Sequence, residues 1–224
     1  MDGEIRALLE KVKEVSVEDT KQEIKRIKHY TSSQKTLLVG EGDFSFSACL
    51  AKTFASAANM VATSLDSKSS LKKYICPMRN LKQLKDLGCV ILHNVDVHTM
   101  SQHPALIDKR FDRIVFNFPH AGFVDSEDSR YQIKLHQKLV MGFFRSAHKM
   151  MVNRGEVHVT LKTTYPYSEW KIVELARQAG LYLVGEESFS LLDYPGYVNK
   201  RGSGVDIERS FHLGSCSTFM FARS

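Results

Sequence analysis

Hydrophobic positions in this chain fall into short runs that stop at polar turns, and longer stretches with helical spacing separate the runs. The first run, Thr36-Leu37-Leu38-Val39, ends at Gly40-Glu41-Gly42-Asp43 and leads into a helix predicted over 45–56. A second, Met60 to Leu65, ends at Asp66, and a third, Cys89 to Leu92, leads through His93-Asn94-Val95 to Asp96. Arg113-Ile114-Val115-Phe116 ends at Asn117-Phe118-Pro119-His120, and a fifth run spans Glu156 to Leu161. Apolar runs of this length, bounded by turn residues, read as buried strands. Further helices are predicted over 68–87, 130–152 and 168–179, the last closed by Gly180, a residue suited to a left-handed cap. The alternation predicts an α/β domain, because parallel strands need crossover connections and the crossovers lay helices on both faces of the sheet. Two late runs, Leu181 to Val184 with an extension to Leu192, and Ser217 to Phe221, predict a C-terminal antiparallel hairpin joined by a loop from Tyr194 to Gly214.

Ahead of the first strand, Ile5, Leu8, Leu9, Val12 and Val15 recur at helical spacing and predict an amphipathic helix over 3–15, which Ile24 and Ile27 continue after a break. The basic stretch from Lys21 to His29 is either a solvated helix face or a contact for nucleic acid. The chain therefore divides into an N-terminal helical extension, 1–30, and an α/β domain, 31–224.

Composition narrows the class. At 224 residues with 43% hydrophobic and 25% charged positions, the chain has the material for one globular core, which excludes disordered and fibrous classes. A formal charge of +6 suits a polyanionic partner without requiring one. No apolar run approaches the ~20 residues that span a bilayer, and the acidic, polar start is unlike a secretory signal, so an intracellular, soluble protein is expected. Four scattered cysteines without a C-x-x-C pair predict reduced thiols and no metal centre.

In open α/β sheets a ligand sits beyond the carboxyl ends of the strands. There Gly40 and Gly42 allow a tight turn and a close backbone approach at a helix start. Asp66 follows at close to the ~20-residue spacing from which an acid reaches ribose hydroxyls, and Asp96 is placed to accept from an adenine amino group. The third glycine of the dinucleotide fingerprint is replaced by Ser45. Glu41 and Asp43 would repel a pyrophosphate and favour a ligand with sulfonium and amino groups, so S-adenosylmethionine fits better than NAD. Alternatively, Glu41 faces solvent and Asp43 caps the following helix. Asn117-Phe118-Pro119-His120 resembles the N-P-P-Y type of motif of methyltransferases that act on planar nitrogens. An amide and a carbonyl beside a proline hold the edge of such a group, and His120 either stacks on its face or handles its proton.

Four segments together carry a wider likeness: V-G-E-G-D-F-S-F-S (Val39 to Ser47), T-S-L-D-S (Thr63 to Ser67), F-D-R-I-V-F-N-F-P-H-A-G-F (Phe111 to Phe123) and D-Y-P-G-Y-x-N-K-R-G (Asp193 to Gly202). Over about residues 34–222 the sequence resembles the Bmt5-like family of 25S ribosomal RNA uridine-N3 methyltransferases, and most resembles its plant single-domain members. The resemblance implies a Rossmann-like class I methyltransferase fold, S-adenosylmethionine as cofactor, RNA as partner and a nuclear or nucleolar setting, with a cytoplasmic one as the alternative. It places the cofactor at Gly40, Glu41, Gly42, Asp43, Phe44, Ser45 and Asp66, with Asp96 added by its strand end. It places the target base at Asn117, Phe118, Pro119 and His120. Tyr194, Tyr197, Lys200 and Arg201 suit base stacking and phosphate contact, or else form a turn between the late strands. Two basic rows, Lys72, Lys73, Arg79, Lys82 and Lys85 on one helix and Lys134, Lys138, Arg145, Lys149 and Arg154 on another, would form a phosphate-binding surface or solvated faces. The alternative functions are methylation of another nitrogen and a catalytically silent, cofactor-binding interaction module.

Overall fold

The computed structural model describes residues 23–70, 77–200 and 210–223. Among the described residues lie nine strands and four α-helices: β1 (Arg26–Ile27), β2 (Tyr30–Thr31), β3 (Thr36–Val39), α1 (Ser45–Phe54), β4 (Met60–Thr63), α2 (Pro77–Asp86), β5 (Val90–Leu92), β6 (Phe111–Asn117), α3 (Arg130–Met150), β7 (Met151–Lys162), α4 (Ile172–Gln178), β8 (Tyr182–Ser188) and β9 (Cys216–Ala222). Seven strands form one sheet in the order β5-β4-β3-β6-β7-β9-β8. The neighbours from β5 to β7 pair in parallel, whereas β9 lies antiparallel between β7 and β8. The expected mostly parallel sheet and its C-terminal hairpin are both present.

The pleat of β3 sorts the core. Leu37 and Val39 join a cluster with Val140, Phe143 and Phe144 of α3 and Ala176 of α4, while Leu38 joins the opposite cluster with Leu50 of α1 and Leu84 of α2. Burying an aromatic or Leu side chain of this kind contributes roughly 1.5–3 kcal/mol. Because α2 and α3 cover opposite faces, their basic rows cannot form one surface, a correction to the combined patch expected above. Arg79, Lys82, Lys85, Lys134, Lys138, Arg145, Lys149 and Arg154 are all exposed, and Lys72 and Lys73 lie outside the described residues.

Several element boundaries differ from expectation. Residues 26–31 form an antiparallel β1–β2 ribbon instead of continuing a helix, with Lys28 at φ 50 in its turn. Tyr30 is driven inward: its hydroxyl lies 3.2 Å from Nδ1 of buried His158, whose Nε2 lies 2.9 Å from Glu156, itself paired with Arg113 at 3.1 Å. Residues 26–30 thus pack on the sheet and are continuous with the α/β domain, so its packing begins ahead of the boundary expected at 31. Of the helix expected over 68–87, the described residues show Pro77–Asp86, with 71–76 outside them, and the one expected from 168 splits into a 3-10 turn, Tyr167–Trp170, and α4, with Lys171 at φ 52 between them. The amphipathic helix expected over 3–15 lies outside the described residues. Cys49, Cys89 and Cys216 are buried free thiols, and among the described residues no helix is long and apolar enough to cross a membrane.

Candidate active site

At the carboxyl ends of β3, β4 and β6 a cleft of about 600 Å³ opens, lined among others by Gly40, Glu41, Gly42, Asp43, Asp66, Asp96, Asn117 and His120. That volume lies in the ordinary range for small-molecule sites. Gly40 has φ 68, and a Cβ there would overlap the Phe116 ring, so only glycine fits the first turn position. Phe44, the residue preceding α1, is also left-handed (φ 62) and offers no side-chain cap. The orphan N–H groups of the first helical turn are met by the two acids: Asp43 Oδ1 accepts from Ser45 N at 3.0 Å, and Glu41 Oε2 accepts from Ser47 N at 3.1 Å and Ser47 Oγ at 2.6 Å.

This arrangement changes the electrostatic reading. Burial pushes the Glu41 carboxyl up to about 7, against the downward pull of the Ser47 bonds and with an added push from Asp43. Asp43 Oδ2 lies 3.3 Å from Lys200 Nζ. Neither acid is therefore an unopposed charge facing a ligand, contrary to the simple repulsion expected from the sequence. Phe44 is fully buried and Ser45 Oγ bonds the main chain of Val198 at 3.2 and 3.3 Å, so both shape the turn from behind. Asp66 and Asp96 do line the cleft, and Asp96 Oδ1 accepts from His98 N at 2.8 Å.

At the end of β6, Asn117 pairs in register with Thr160, and Phe118 turns left-handed (φ 49) with its N–H on Thr160 O at 2.7 Å. Both polar atoms of the Asn117 side chain are buried and have no partner among the described residues. Pro119 is buried behind the cleft wall, and its neighbour His120 is held from two sides. Gly122 N donates to His120 Nδ1 at 3.1 Å, and Ala121 N donates to His136 Nδ1 at 3.2 Å. Each ring must then carry its proton on Nε2, and both Nε2–H groups face Glu127, at 2.7 Å from His120 and 3.2 Å from His136; the Gln132 amide nitrogen, 3.0 Å from the same His136 Nε2, is itself a donor and cannot accept that proton, which leaves Glu127 as its acceptor. Burial alone would raise the Glu127 carboxyl, but the hydrogen bonds from the two imidazoles hold it down at about 2. His120, Glu127 and His136 bring their ligating atoms within 4.8 Å of one another. The main-chain donors on both Nδ1 atoms leave the Nε2 lone pairs unavailable to a cation, so the geometry is that of a hydrogen-bonded triad.

Comparison with known proteins decides the family. The family model described as rRNA (uridine-N3-)-methyltransferase BTM5-like matches residues 37–201. The chain belongs to the BMT5-like family. An uncharacterized Arabidopsis thaliana protein is 52% identical over 206 residues, covering 89% of this chain and 98% of that protein. The Saccharomyces cerevisiae 25S rRNA (uridine(2634)-N(3))-methyltransferase is 25% identical, covering 79% of this chain and 68% of its own length. A methyltransferase from Pyrococcus furiosus shares the fold with a TM-score of 0.53 at 15% identity, over 84% of this chain and 74% of that one. The class I methyltransferase architecture expected from the sequence is the one observed.

The segment expected to hold RNA behaves differently in this BMT5-like chain. Tyr194 is 2% exposed and stacks on Phe189 with centroids 5.4 Å apart, so it is a core residue and not a platform for a base. Tyr197 lines the cleft with its ring 5.1 Å from Phe46, and Lys200 is engaged with Asp43. Arg201 lies outside the described residues. Residues 194–200 thus form a strap across the Gly40–Asp43 turn. Glu127, Gln132 and His136 were missed at the sequence level, although the i, i+4 spacing of Gln132 and His136 just after Ser129, which caps α3 by accepting from Gln132 N, was a usable signal.

Proposed function

We propose that this BMT5-like chain is an S-adenosylmethionine-dependent methyltransferase that modifies N3 of a uridine in large-subunit ribosomal RNA, acting in the nucleus or nucleolus. The cleft suits the cofactor: glycine-only backbone at position 40, acids at two further strand ends, and a volume of about 600 Å³. When bound, S-adenosylmethionine supplies an electrophilic methyl group on a sulfonium. Gly40, Gly42 and Asp43 would hold its amino-acid end, Asp66 its ribose and Asp96 its adenine.

The observation that carries the target assignment is the unpartnered side chain of Asn117. An amide buried without partners costs roughly 1–3 kcal/mol, and a uracil edge supplies what it lacks. Nδ2 donates to a ring carbonyl beside N3, which gathers negative charge once the N3 proton passes to solvent hydroxide, and the in-plane lone pair left on N3 is then free to take the methyl group. That proton has a pKa of about 9 to 10 and needs no strong base at mildly alkaline pH. With both nitrogens of His120 engaged, the ring serves as a wall and not as a proton acceptor. Asn117 thus aligns the nitrogen and stabilises the anion, which is catalysis by positioning and fixed dipoles. The test is nucleoside mass spectrometry of ribosomal RNA incubated with protein and cofactor. N3-methyluridine is expected with wild type and not with Asn117→Ala, while a methylated exocyclic amine would redirect the assignment to another nitrogen.

A further inference from the structure

Glu127 does not line the cleft, yet it is the point on which the cleft's target wall converges. Its two oxygens are divided between two imidazoles: Oε1 takes His120 and Oε2 takes His136. His120 and Ala121 lie in the loop that follows β6, whereas His136 lies in α3, fully buried and stacked on Trp170 with centroids 4.3 Å apart. Gln132, also in α3, is itself fully buried, accepts from Val124 N and Asp125 N, and donates to Gly122 O. The loop from Pro119 to Asp125 is therefore tied to α3 by side chains alone, and the carboxylate is the only member of the triad able to accept both imidazole protons.

We propose that Glu127 is a positioning residue: its carboxylate fixes His120 and His136 as neutral Nε2–H tautomers and so holds the wall on which Asn117 and His120 meet the target base. This rests on the reading that the cleft takes that base. The carboxylate is required because only two acceptor oxygens on one group satisfy two N–H donors. A glutamine offers one acceptor and one donor, so in Glu127→Gln the amide nitrogen opposes the Nε2–H of one ring. That ring must then turn its proton to Nδ1, where Ala121 N or Gly122 N already donates, and the loop shifts. A misplacement of about 1 Å at a reacting group costs on the order of 100-fold in rate.

The experiment compares wild type, Glu127→Gln and Glu127→Asp in full-length protein. Ring nitrogen-15 NMR reports the tautomers of His120 and His136 without any substrate, and single-turnover methylation and cofactor titration report function. Nε2–H tautomers at both rings in wild type are expected, with one ring changed in Glu127→Gln. Turnover in Glu127→Gln should fall roughly 100-fold while cofactor affinity stays within about twofold, and Glu127→Asp, which keeps two acceptors, should recover part of the rate. An Nδ1–H tautomer at either ring in wild type, or full turnover in Glu127→Gln, overturns the proposal. If wild type methylates no ribosomal RNA, the target reading fails, while the tautomer measurement still decides the role of Glu127 in the wall.

Discussion

On the β3 to β5 side of the cleft the polar side chains have partners within the protein: Glu41 in Ser47, Asp43 in Ser45 and Lys200, and Asp96 in His98. At the β6 end, a few residues from a fully bonded triad, Asn117 is buried with neither amide atom paired. One end is a preorganised cradle whose geometry holds without ligand, and the other is an incomplete hydrogen-bond set, which the proposed substrate would finish. Native proteins leave few buried polar groups unpaired, and each exception calls for a reason. Under the proposed function the reason is recognition: a site that must hydrogen-bond one planar edge discriminates strongly against groups that cannot return those bonds.

The sharpest way to break the comparison is Gly40→Val. The substitution puts a branched side chain at φ 68 and into the Phe116 ring, so strain and overpacking act together. A loss of about 3 kcal/mol or more in stability is expected, with cofactor binding abolished, as read by thermal melts with and without S-adenosylhomocysteine. Unchanged melting and binding would show that the turn is not the cradle described above.

Asn117→Leu separates the two ends by acting on only one. Replacing an unpaired amide by a group of similar size relieves its desolvation, so the free protein should gain about 1 kcal/mol. Methyl transfer should fall by roughly 100- to 1000-fold, as for removal of a donor to a developing anion. Stability and activity moving in opposite directions is the signature of a residue kept for function, whereas destabilisation would point to a partner for Asn117 inside the fold.

How far the sequence foresaw these two ends follows from how each is built. Strand ends were legible because apolar runs stop where the sheet stops, and parallel topology alone sends those ends to one side. Hence Gly40, Asp66, Asp96 and Asn117 could be expected at one cleft, which all four line. The Glu127 triad was not, because it joins residues of a loop and a helix through side chains whose meeting depends on the path of the loop. Tyr194 was misjudged for a related reason: Asp193-Tyr194-Pro195-Gly196 has the composition of an exposed turn, while packing against Phe189, Phe46 and Tyr30 buries the ring. Ile24 and Ile27 suggested a helix, but burial of Tyr30 and its bond to His158 override that local preference.

The preorganised end also has a pH dependence of its own. Glu41 holds its proton up to about 7 in the folded protein, against an ordinary value of 4.5. The folded state binds that proton more tightly than the unfolded chain, so the group costs nothing below about pH 4.5 and its penalty grows as pH rises to about 7. The full penalty is about 3 kcal/mol. Urea titrations should therefore show the gap between Glu41→Gln and wild type moving in favour of the variant between pH 5 and pH 8. A gap that is constant with pH would mean that Glu41 is ionised in the fold throughout, and that the turn does present negative charge to its ligand.

The smallest effect tests which face of the sheet meets RNA. Lys138 is exposed on α3 and lines the cleft, while Lys82 is exposed on α2, on the opposite face, with its ammonium 2.6 Å from Asp86. If RNA reaches the Asn117 end, Lys138 contacts a phosphate and Lys82 does not. Lys138→Ala should then lower the slope of log affinity against log salt by about one and weaken binding uniformly across sequences. Lys82→Ala should leave the slope unchanged, and its effect on stability should stay within about 0.5 kcal/mol, as for an exposed i, i+4 pair. Equal slopes for both variants and wild type would move the RNA contact off α3, onto the strap or the strand-end loops, and would separate the target wall from the surface that recruits the RNA.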